Sequence, residues 1–176
     1  MRYYNKFYVD GCEDSFISRD FLRAVLACSD AFSLVYFRYR ENEKLSNSAR
    51  QIKKDLSSFQ LHSQYVSEWP GTKTQNDRNH LYRMVTYRAD IDILPVIERV
   101  STIWDWDYPQ YPMDPSFYRN GYAWFVVTSH ERMNTLYLEE SNSVPSVMDL
   151  ESLGLSLIPE GKTEEAKLFY NRYAAR

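Results

Sequence analysis

Residues 116–140 read SFYRNGYAWFVVTSHERMNTLYLEE, and this stretch decides the fold that the sequence predicts. Asn120-Gly121 separates two apolar runs, and this dipeptide favours positive φ at both central positions of a type I′ hairpin turn. A second, polar turn covers about 129–134. The run WFVV at 124–127 is apolar on both faces, as expected of a strand that is covered from two sides. The stretch therefore predicts three neighbouring antiparallel strands, at 116–119, 122–128 and 135–139.

The rest of the chain alternates between extended and helical patterns. Aromatic and β-branched runs predict strands, at 31–40, 62–68 and 81–88, with 3–9 as an edge strand or a packed arm. Apolar residues at helical spacing predict helices at 18–28 with Ser18 as N-cap, at 46–59, and at 92–104 with Asp90 or Asp92 as N-cap. Gly154 closes a short predicted helix at 146–153, and Thr163 caps a last one at 163–174. This order predicts an α+β fold, with a mainly antiparallel sheet of five to six strands and helices packed on one face.

Length and composition predict one globular domain over residues 1–176. The chain has 176 residues and 44% hydrophobic content, enough for a core that needs no metal or disulfide. It contains 15 tyrosines. Because tyrosine has an apolar body and a polar tip, these residues suit either a tyrosine-rich sheet or a recognition surface.

The two cysteines and the N-terminus bear on the compartment. Cys12 and Cys28 lack metal-ligand spacing. The N-terminus has no apolar signal-peptide core, and no apolar run approaches the length that spans a membrane. These features predict a cytoplasmic protein with two reduced thiols, and a Cys12–Cys28 disulfide is the alternative.

The net charge of −3 is unevenly distributed. Residues 1–88 carry +4 and residues 89–176 carry −7. An acidic half disfavours nucleic acid and suits a basic protein partner, although carboxylates can also simply solvate a surface. The charged face of the 46–59 helix is predicted to be solvated and not an anion site; it holds Arg50, Lys53, Lys54 and Asp55.

No cofactor or metal is predicted. The chain has five glycines, and none forms a phosphate-binding loop. Asp105, Asp107 and Asp114 supply oxygen atoms of the kind that bind hard cations. Their segment lacks the glycine and the terminal glutamate of an EF-hand loop, so a metal site there is only a weak alternative.

The loop at 104–114 has the composition of a protein-binding surface. Aromatic side chains alternate with carboxylates, and aromatic anchors with a charged rim are typical of interface hot spots. The candidate partner-binding residues are Trp104, Asp105, Trp106, Asp107, Tyr108, Tyr111 and Asp114. The alternative is that both indoles hold the loop to the body of the domain.

The three histidines are His62, His80 and His130. Ser129-His130-Glu131 contains the letters of a catalytic triad, but adjacent residues in a turn point in different directions and cannot form the relay among themselves. A turn cluster that caps backbone groups is the favoured interpretation. In the enzyme hypothesis, His130 acts as a base oriented by Glu131 or by a nearby aspartate, and faces the 69–80 loop.

Three segments carry a resemblance: EWPGTKT at 68–74, MDPSFYRNGYAWF at 113–125 and TSHE at 128–131. They resemble a group of small uncharacterised proteins of Gram-positive bacteria, over about residues 60–140. The resemblance marks Trp69, Gly71, Thr72, Trp124, His130 and Glu131 without supplying their roles. Acidic, aromatic-rich proteins of this kind are similar to immunity proteins of bacterial toxin systems, which by analogy implies an inhibitor.

Two hypotheses for function follow. The preferred one is a non-enzymatic cytoplasmic binding protein, an immunity-type inhibitor of a toxin or another basic protein, which binds through 104–114. It predicts that Trp106→Ala and Asp107→Lys weaken binding while the fold stays intact, because both residues are expected to be exposed. The alternative is a small hydrolase or transferase with a site at Trp69, Thr72, His130 and Glu131.

Overall fold

A computed structural model describes residues 2–74, 81–139 and 149–171. Its strands are β1 (Tyr3–Asp10), β2 (Ala31–Phe37), β3 (Gln60–Tyr65), β4 (Glu68–Trp69), β5 (Thr72–Lys73), β6 (Tyr82–Arg88), β7 (Met113–Arg119), β8 (Tyr122–Thr128), β9 (Met133–Glu139) and β10 (Ser156–Glu164). Its α-helices are α1 (Ser15–Ala27), α2 (Asn47–Asp55) and α3 (Leu94–Ile97).

In the described residues, eight strands form one sheet in the order β10-β1-β9-β8-β7-β2-β6-β3. All the pairings are antiparallel. β4 and β5 form a separate short hairpin. The α+β prediction with an antiparallel sheet is confirmed, but five to six strands was too low a number. The sequence pattern left β1 as an edge strand or arm and did not show that β10 pairs beside it.

The predicted meander is confirmed. β7, β8 and β9 are neighbours, and β8 pairs with the other two. Asn120 has φ 51 and Gly121 has φ 84, which are the positive values that the Asn-Gly dipeptide predicts. All seven residues of β8 are buried, because this strand is covered on both faces.

The helices cover one face of the sheet. Side chains from all three α-helices share a core with the inward residues of β2, β6, β7 and β8; for example, the Phe21 and Phe125 rings are 5.1 Å apart. On the second face, Trp69 packs with Val35 and Met113. Residues 169–171 hydrogen-bond to 121–123 there, through Ala123 N to Phe169 O and Asn171 N to Gly121 O.

The first helix begins earlier than predicted. Its N-cap is Asp14, a residue type that favours this position. The Asp14 carboxylate accepts hydrogen bonds from Phe16 N at 2.8 Å and from Ile17 N at 3.1 Å. Ser18 was predicted as the cap and instead lies buried inside α1. Its hydroxyl accepts a hydrogen bond at 2.6 Å from Ile103 N, which is 85 residues away in the chain.

The predicted helix at 92–104 is wrong in its length. Asp90 caps a 3-10 turn as predicted, but α3 covers only Leu94–Ile97. A new 3-10 turn, Ile103–Asp105, begins with a capping box between Thr102 and Asp105. A capping box marks the start of a helical segment. A separate helical turn therefore starts at Ile103, where the apolar periodicity had predicted one continuous helix.

The predicted helix at 163–174 is also wrong. Residues Ser156–Glu164 form β10, which pairs with β1 from Tyr3↔Glu164 to Asp10↔Ser156. Only Thr163 and Glu164 of the predicted helix lie in β10, where pairing with β1 overrides a weak local propensity. Glu165–Lys167 forms a single 3-10 turn, and the described residues 168–171 are not helical. Residues 172–176 lie outside the described residues. The predicted helix at 146–153 lies partly outside them too, and 149–154 forms turns.

Both cysteines are free thiols, so they do not pair with each other. Cys12 is buried and Cys28 is half-buried, and burial raises the pKa of the Cys12 thiol to about 12. This thiol is therefore protonated and unreactive at neutral pH. Among the described helices, none has both the length and the apolar character needed to cross a membrane.

Candidate functional site

The 104–114 loop is held against the body of the protein. Trp106 is only 1% exposed and lies in the main core. It packs in a space lined by Leu22 and Ile97. Trp104 and Tyr111 are half-buried and also pack on this core. The expectation that Trp106 is exposed is therefore wrong, because its indole fills the space between α1 and α3.

The exposed part of this loop is acidic. Asp105 is exposed, and its carboxylate accepts hydrogen bonds from Thr102 N at 2.9 Å and Thr102 Oγ1 at 3.0 Å. Asp107 is half-buried and accepts from Tyr108 N at 2.8 Å. The Tyr108 hydroxyl donates to Glu43 at 3.3 Å. These side chains shape the loop and leave charge at its surface, so their role in partner binding stays a prediction.

Asp114 is a buried junction between distant segments. It is 0% exposed, so it cannot contact a partner as the sequence analysis predicted. Its carboxylate accepts hydrogen bonds from Trp69 Nε1 at 2.8 Å, Thr72 Oγ1 at 3.3 Å and Ser129 N at 2.8 Å. These bonds join the β4–β5 hairpin to the end of β8. Two residues of the predicted alternative site, Trp69 and Thr72, thus meet Asp114.

The environment of Asp114 has opposing effects on its ionisation. Burial raises the pKa of the Asp114 carboxyl above its ordinary value, since a low-dielectric site disfavours the charged form. The donors from Ser129, Trp69 and Thr72, together with the nearby His130, oppose this rise. Burial is the larger effect. Asp114 also has φ 51, a conformation that residues other than glycine seldom adopt.

His130 lies beside Asp114 on a 3-10 turn, Ser129–Glu131. Its Nδ1 is 4.0 Å from Asp114 Oδ1, and its Nε2 is 3.8 Å from Glu131 Oε1. Both distances exceed those of hydrogen bonds. His130 is half-exposed, and it does not line either of the two open cavities on the faces of the sheet. The Asp114 carboxylate therefore lies near the His130 ring but does not form a hydrogen bond with it.

The two sites predicted separately from the sequence form one region. The turn at 103–105 contacts the turn at 129–131, with Cα atoms within 8 Å. The exposed carboxylates of Asp105 and Glu131 therefore lie on neighbouring turns at the surface, whereas Asp114 is buried. In the part of the chain that the structure describes, no group of three or more His, Cys, Asp or Glu side chains is arranged to hold a metal ion.

The larger of the two open cavities lies on the second face of the sheet. Its volume is about 700 Å³. Met84 and Thr86 of β6 and Tyr118 of β7 form its floor. The rim is formed on one side by β3 and β4 and on the other by the segment 169–171. We call this space the sheet cavity.

The floor of the sheet cavity carries uncharged polar groups beside the apolar Met84. The Tyr118 hydroxyl and Ser33 Oγ are 3.1 Å apart, and Asn171 Nδ2 donates to Thr86 Oγ1 at 3.1 Å. Burial raises the pKa of Tyr118 to about 12, so its hydroxyl is protonated at neutral pH. Among the described residues, Glu68 is the one carboxylate in the lining, and no lysine or arginine lines the cavity. It therefore suits a neutral or cationic guest.

Sequence reasoning missed this cavity. Its lining comes from β3, β4, β6, β7 and the 169–171 segment, and the last of these was predicted as helix. Alternation along β6 placed Met84 and Thr86 on one face, which was the only available signal. No local pattern shows that residues near 170 return to the turn at 120–121.

Comparisons with known proteins add no assignment. No family model, curated protein or solved structure matches this chain. The resemblance to small proteins of Gram-positive bacteria and the analogy with immunity proteins therefore stay predictions. What can be inferred about function comes from the geometry of the chain itself.

Proposed function

We propose that this protein is a non-enzymatic binding protein of the immunity-inhibitor type, which takes a basic side chain of a protein partner into the sheet cavity. The observation that carries this proposal is the cavity itself. Its volume of about 700 Å³ lies within the usual range of binding pockets. Its lining supplies hydrogen-bonding groups and one carboxylate, Glu68.

The lining favours lysine or arginine as the guest. The alkyl stem of such a side chain can pack on Met84 and Phe169 while its charged end reaches Glu68. Tyr170 adds an aromatic face, which attracts cations and above all a planar guanidinium group. An anionic guest would meet Glu68 with no opposing lysine or arginine in the described part of the lining.

The rim and the surrounding charge favour a protein as the partner. Phe169 is 37% exposed and Tyr170 is 52% exposed. Aromatic side chains at such rims are common interface anchors. The exposed carboxylates of Asp105 and Glu131, with the −7 charge of residues 89–176, would speed the encounter with a basic surface. In this form of the hypothesis, Trp106 supports the fold and makes no contact with the partner.

Binding of a basic side chain can be measured by NMR with N-acetylarginine amide as the probe. We expect the amide signals of Gly121 and Asn171 to shift in a saturable way, and Glu68→Lys to abolish the shifts because it places a cation in the cavity. Glu131→Lys is the matched control and should leave the shifts unchanged. N-acetylglutamate amide should produce no shifts at these positions.

Affinity capture from cells of the source organism tests the protein form of the proposal. The wild-type protein should retain a basic partner that Glu68→Lys releases and Glu131→Lys only weakens. If the partner stays bound to Glu68→Lys, the interface lies outside the sheet cavity. If probe shifts scatter over the surface or survive Glu68→Lys, the cavity does not bind basic groups.

The second candidate is a hydrolase or transferase that uses His130 as a base. The observation that favours it is the buried Asp114, which lies 4.0 Å behind Nδ1 of the ring. Hydrolysis of 4-nitrophenyl acetate distinguishes the candidates. For a binding protein we expect a rate no higher than that of the same concentration of free imidazole. A faster rate that His130→Gln removes, without a change in melting temperature, would favour the enzyme.

A further inference from the structure

A second open cleft lies on the opposite face of the sheet at the same edge. Its volume is about 350 Å³. Cross-strand pairs alternate between faces, so Tyr65↔Arg83 belongs to this cleft while Gln64↔Met84 belongs to the sheet cavity. Tyr36, which pairs with Arg83 across β2 and β6, also lines it. We call this space the basic cleft.

The basic cleft holds a large excess of positive charge. Five cationic side chains line it: Arg38, Lys44, Arg50, Lys53 and Arg83. The one carboxylate among the described lining residues is Glu43, and it accepts hydrogen bonds from Arg40 N and the Tyr108 hydroxyl. Within the described residues, none of the five cations forms an ion pair with a carboxylate. Their charge is therefore available to a ligand.

The cations repel one another. Burial lowers the pKa of Lys53, and the positive charges of Arg83 and Arg38 lower it further. Partly buried like charges that lack a counter-charge destabilise the folded state, and a bound anion would relieve this repulsion. In a protein whose net charge is −3, such a concentration of unpaired cations points to a specific anion.

Neighbouring groups hold the cations in place. Arg83 Nε donates to Ser63 Oγ at 2.5 Å, and the guanidinium group lies over the Tyr65 ring at 5.7 Å from its centroid. Lys53 Nζ lies over the Tyr36 ring at 5.3 Å. The Tyr36 hydroxyl is in turn 2.7 Å from that of Tyr87. Arg50 and Lys53 lie on α2 and Arg83 lies on β6, while Arg38 and Lys44 come from the segment that follows β2. Three of the five cations are thus placed by regular elements, which favours a preformed cleft.

We propose that the basic cleft binds a compact, multiply charged anion that bears phosphate groups. The guanidinium groups of Arg38 and Arg83 can each donate two hydrogen bonds to phosphate oxygens, and the Lys53 ammonium adds a compact positive charge. A volume of about 350 Å³ suits a small phosphorylated molecule and not a polymer. This proposal departs from the prediction that the charged face of the 46–59 helix is solvated, because Arg38 and Arg83 from outside that helix join Arg50 and Lys53 in the lining.

Isothermal titration calorimetry with inorganic pyrophosphate tests the proposal. We expect saturable binding that weakens as salt is added, and a loss of about tenfold or more for Lys53→Gln and for Arg38→Gln, since each removes a charge-assisted contact. Lys54→Gln is the matched control, because Lys54 is the next residue of α2 and lies outside the cleft. It should bind pyrophosphate as the wild type does.

Thermal unfolding supplies a second readout. Lys53→Gln should raise the melting temperature without ligand, because it removes like-charge repulsion, while it lowers the shift that pyrophosphate produces. A merely structural lysine would lower the melting temperature instead. The proposal is overturned if pyrophosphate does not bind, if Lys54→Gln loses as much affinity as Lys53→Gln, or if a single-stranded oligonucleotide binds more tightly than pyrophosphate.

Discussion

Asp114→Ala is expected to destabilise the protein by about 3–5 kcal/mol, since a buried donor left without a partner costs about 1–3 kcal/mol. The change removes the acceptor for Trp69 Nε1 and Ser129 N, which are both buried, and for the half-buried Thr72 hydroxyl. Urea unfolding followed by tryptophan fluorescence measures the loss. The hairpin of β4 and β5 should also lose its attachment to β7 and β8.

Asp107→Ala is the control for this change. Asp107 is an aspartate of the same loop whose carboxylate bonds only to the adjacent Tyr108 N among the contacts described. Its loss should therefore cost less than about 1 kcal/mol. Asp114→Asn keeps one acceptor oxygen and should fall between the two. An Asp114→Ala variant as stable as Asp107→Ala would show that the junction contributes little to the fold.

The pH dependence gives an independent check on Asp114. Its folded-state pKa is raised above the ordinary 3.8 by burial. A raised pKa means that the folded state holds the proton more tightly, so this contribution to stability is complete below pH 3.8 and is lost as the pH rises through the folded value. The stability of the wild type relative to Asp114→Asn should therefore fall as the pH rises through this window.

Trp106→Ala is expected to destabilise the protein by about 3–5 kcal/mol, the usual cost of truncating a buried tryptophan. The indole is 1% exposed and belongs to the main core. Its removal would leave a cavity between α1, α3 and the 104–114 loop. Differential scanning calorimetry should show a large drop in melting temperature, in contrast to the intact fold that the sequence analysis predicted for this variant.

Two further variants sharpen the Trp106 experiment. Phe16 on α1 is 74% exposed. Phe16→Ala should therefore change stability by less than about 0.5 kcal/mol. Trp106 Nε1 is buried without a hydrogen-bond partner among the described residues. Trp106→Phe removes that unpaired donor and keeps most of the packing, so it should cost much less than Trp106→Ala. Equal losses for the two Trp106 variants would exclude packing as the main contribution.

The burial of Trp106 changes how binding experiments must be designed. A Trp106→Ala variant that fails to bind a partner would show only that it is unfolded. Glu68→Lys and Asp107→Lys are better probes, because Glu68 is exposed and Asp107 lies at the surface of its loop. Comparing these two variants separates a partner that enters the sheet cavity from one that contacts the 104–114 loop.

The sequence alone determined the centre of the fold. The turn at Asn120-Gly121 requires positive φ at two successive residues, and the apolar run of β8 requires cover on two faces. Both are local demands that few other structures satisfy. The strands predicted at 62–68 and 81–88 correspond to β3 and β6 for the same reason, since each depends on a local run of residues.

The edge strand β10, the buried position of Asp114 and the basic cleft all depend on contacts between distant segments. β10 continues to Glu164 and joins the sheet because β1 offers it a pairing partner, and no local propensity identifies that partner. Asp114 reads as a surface aspartate in its loop, but Trp69, 45 residues earlier, donates to it inside the protein. The basic cleft joins cations of α2 to those of β6 and of the segment that follows β2. Each of these features depends on contacts between distant segments, and those contacts stabilise a local conformation only once the chain has folded.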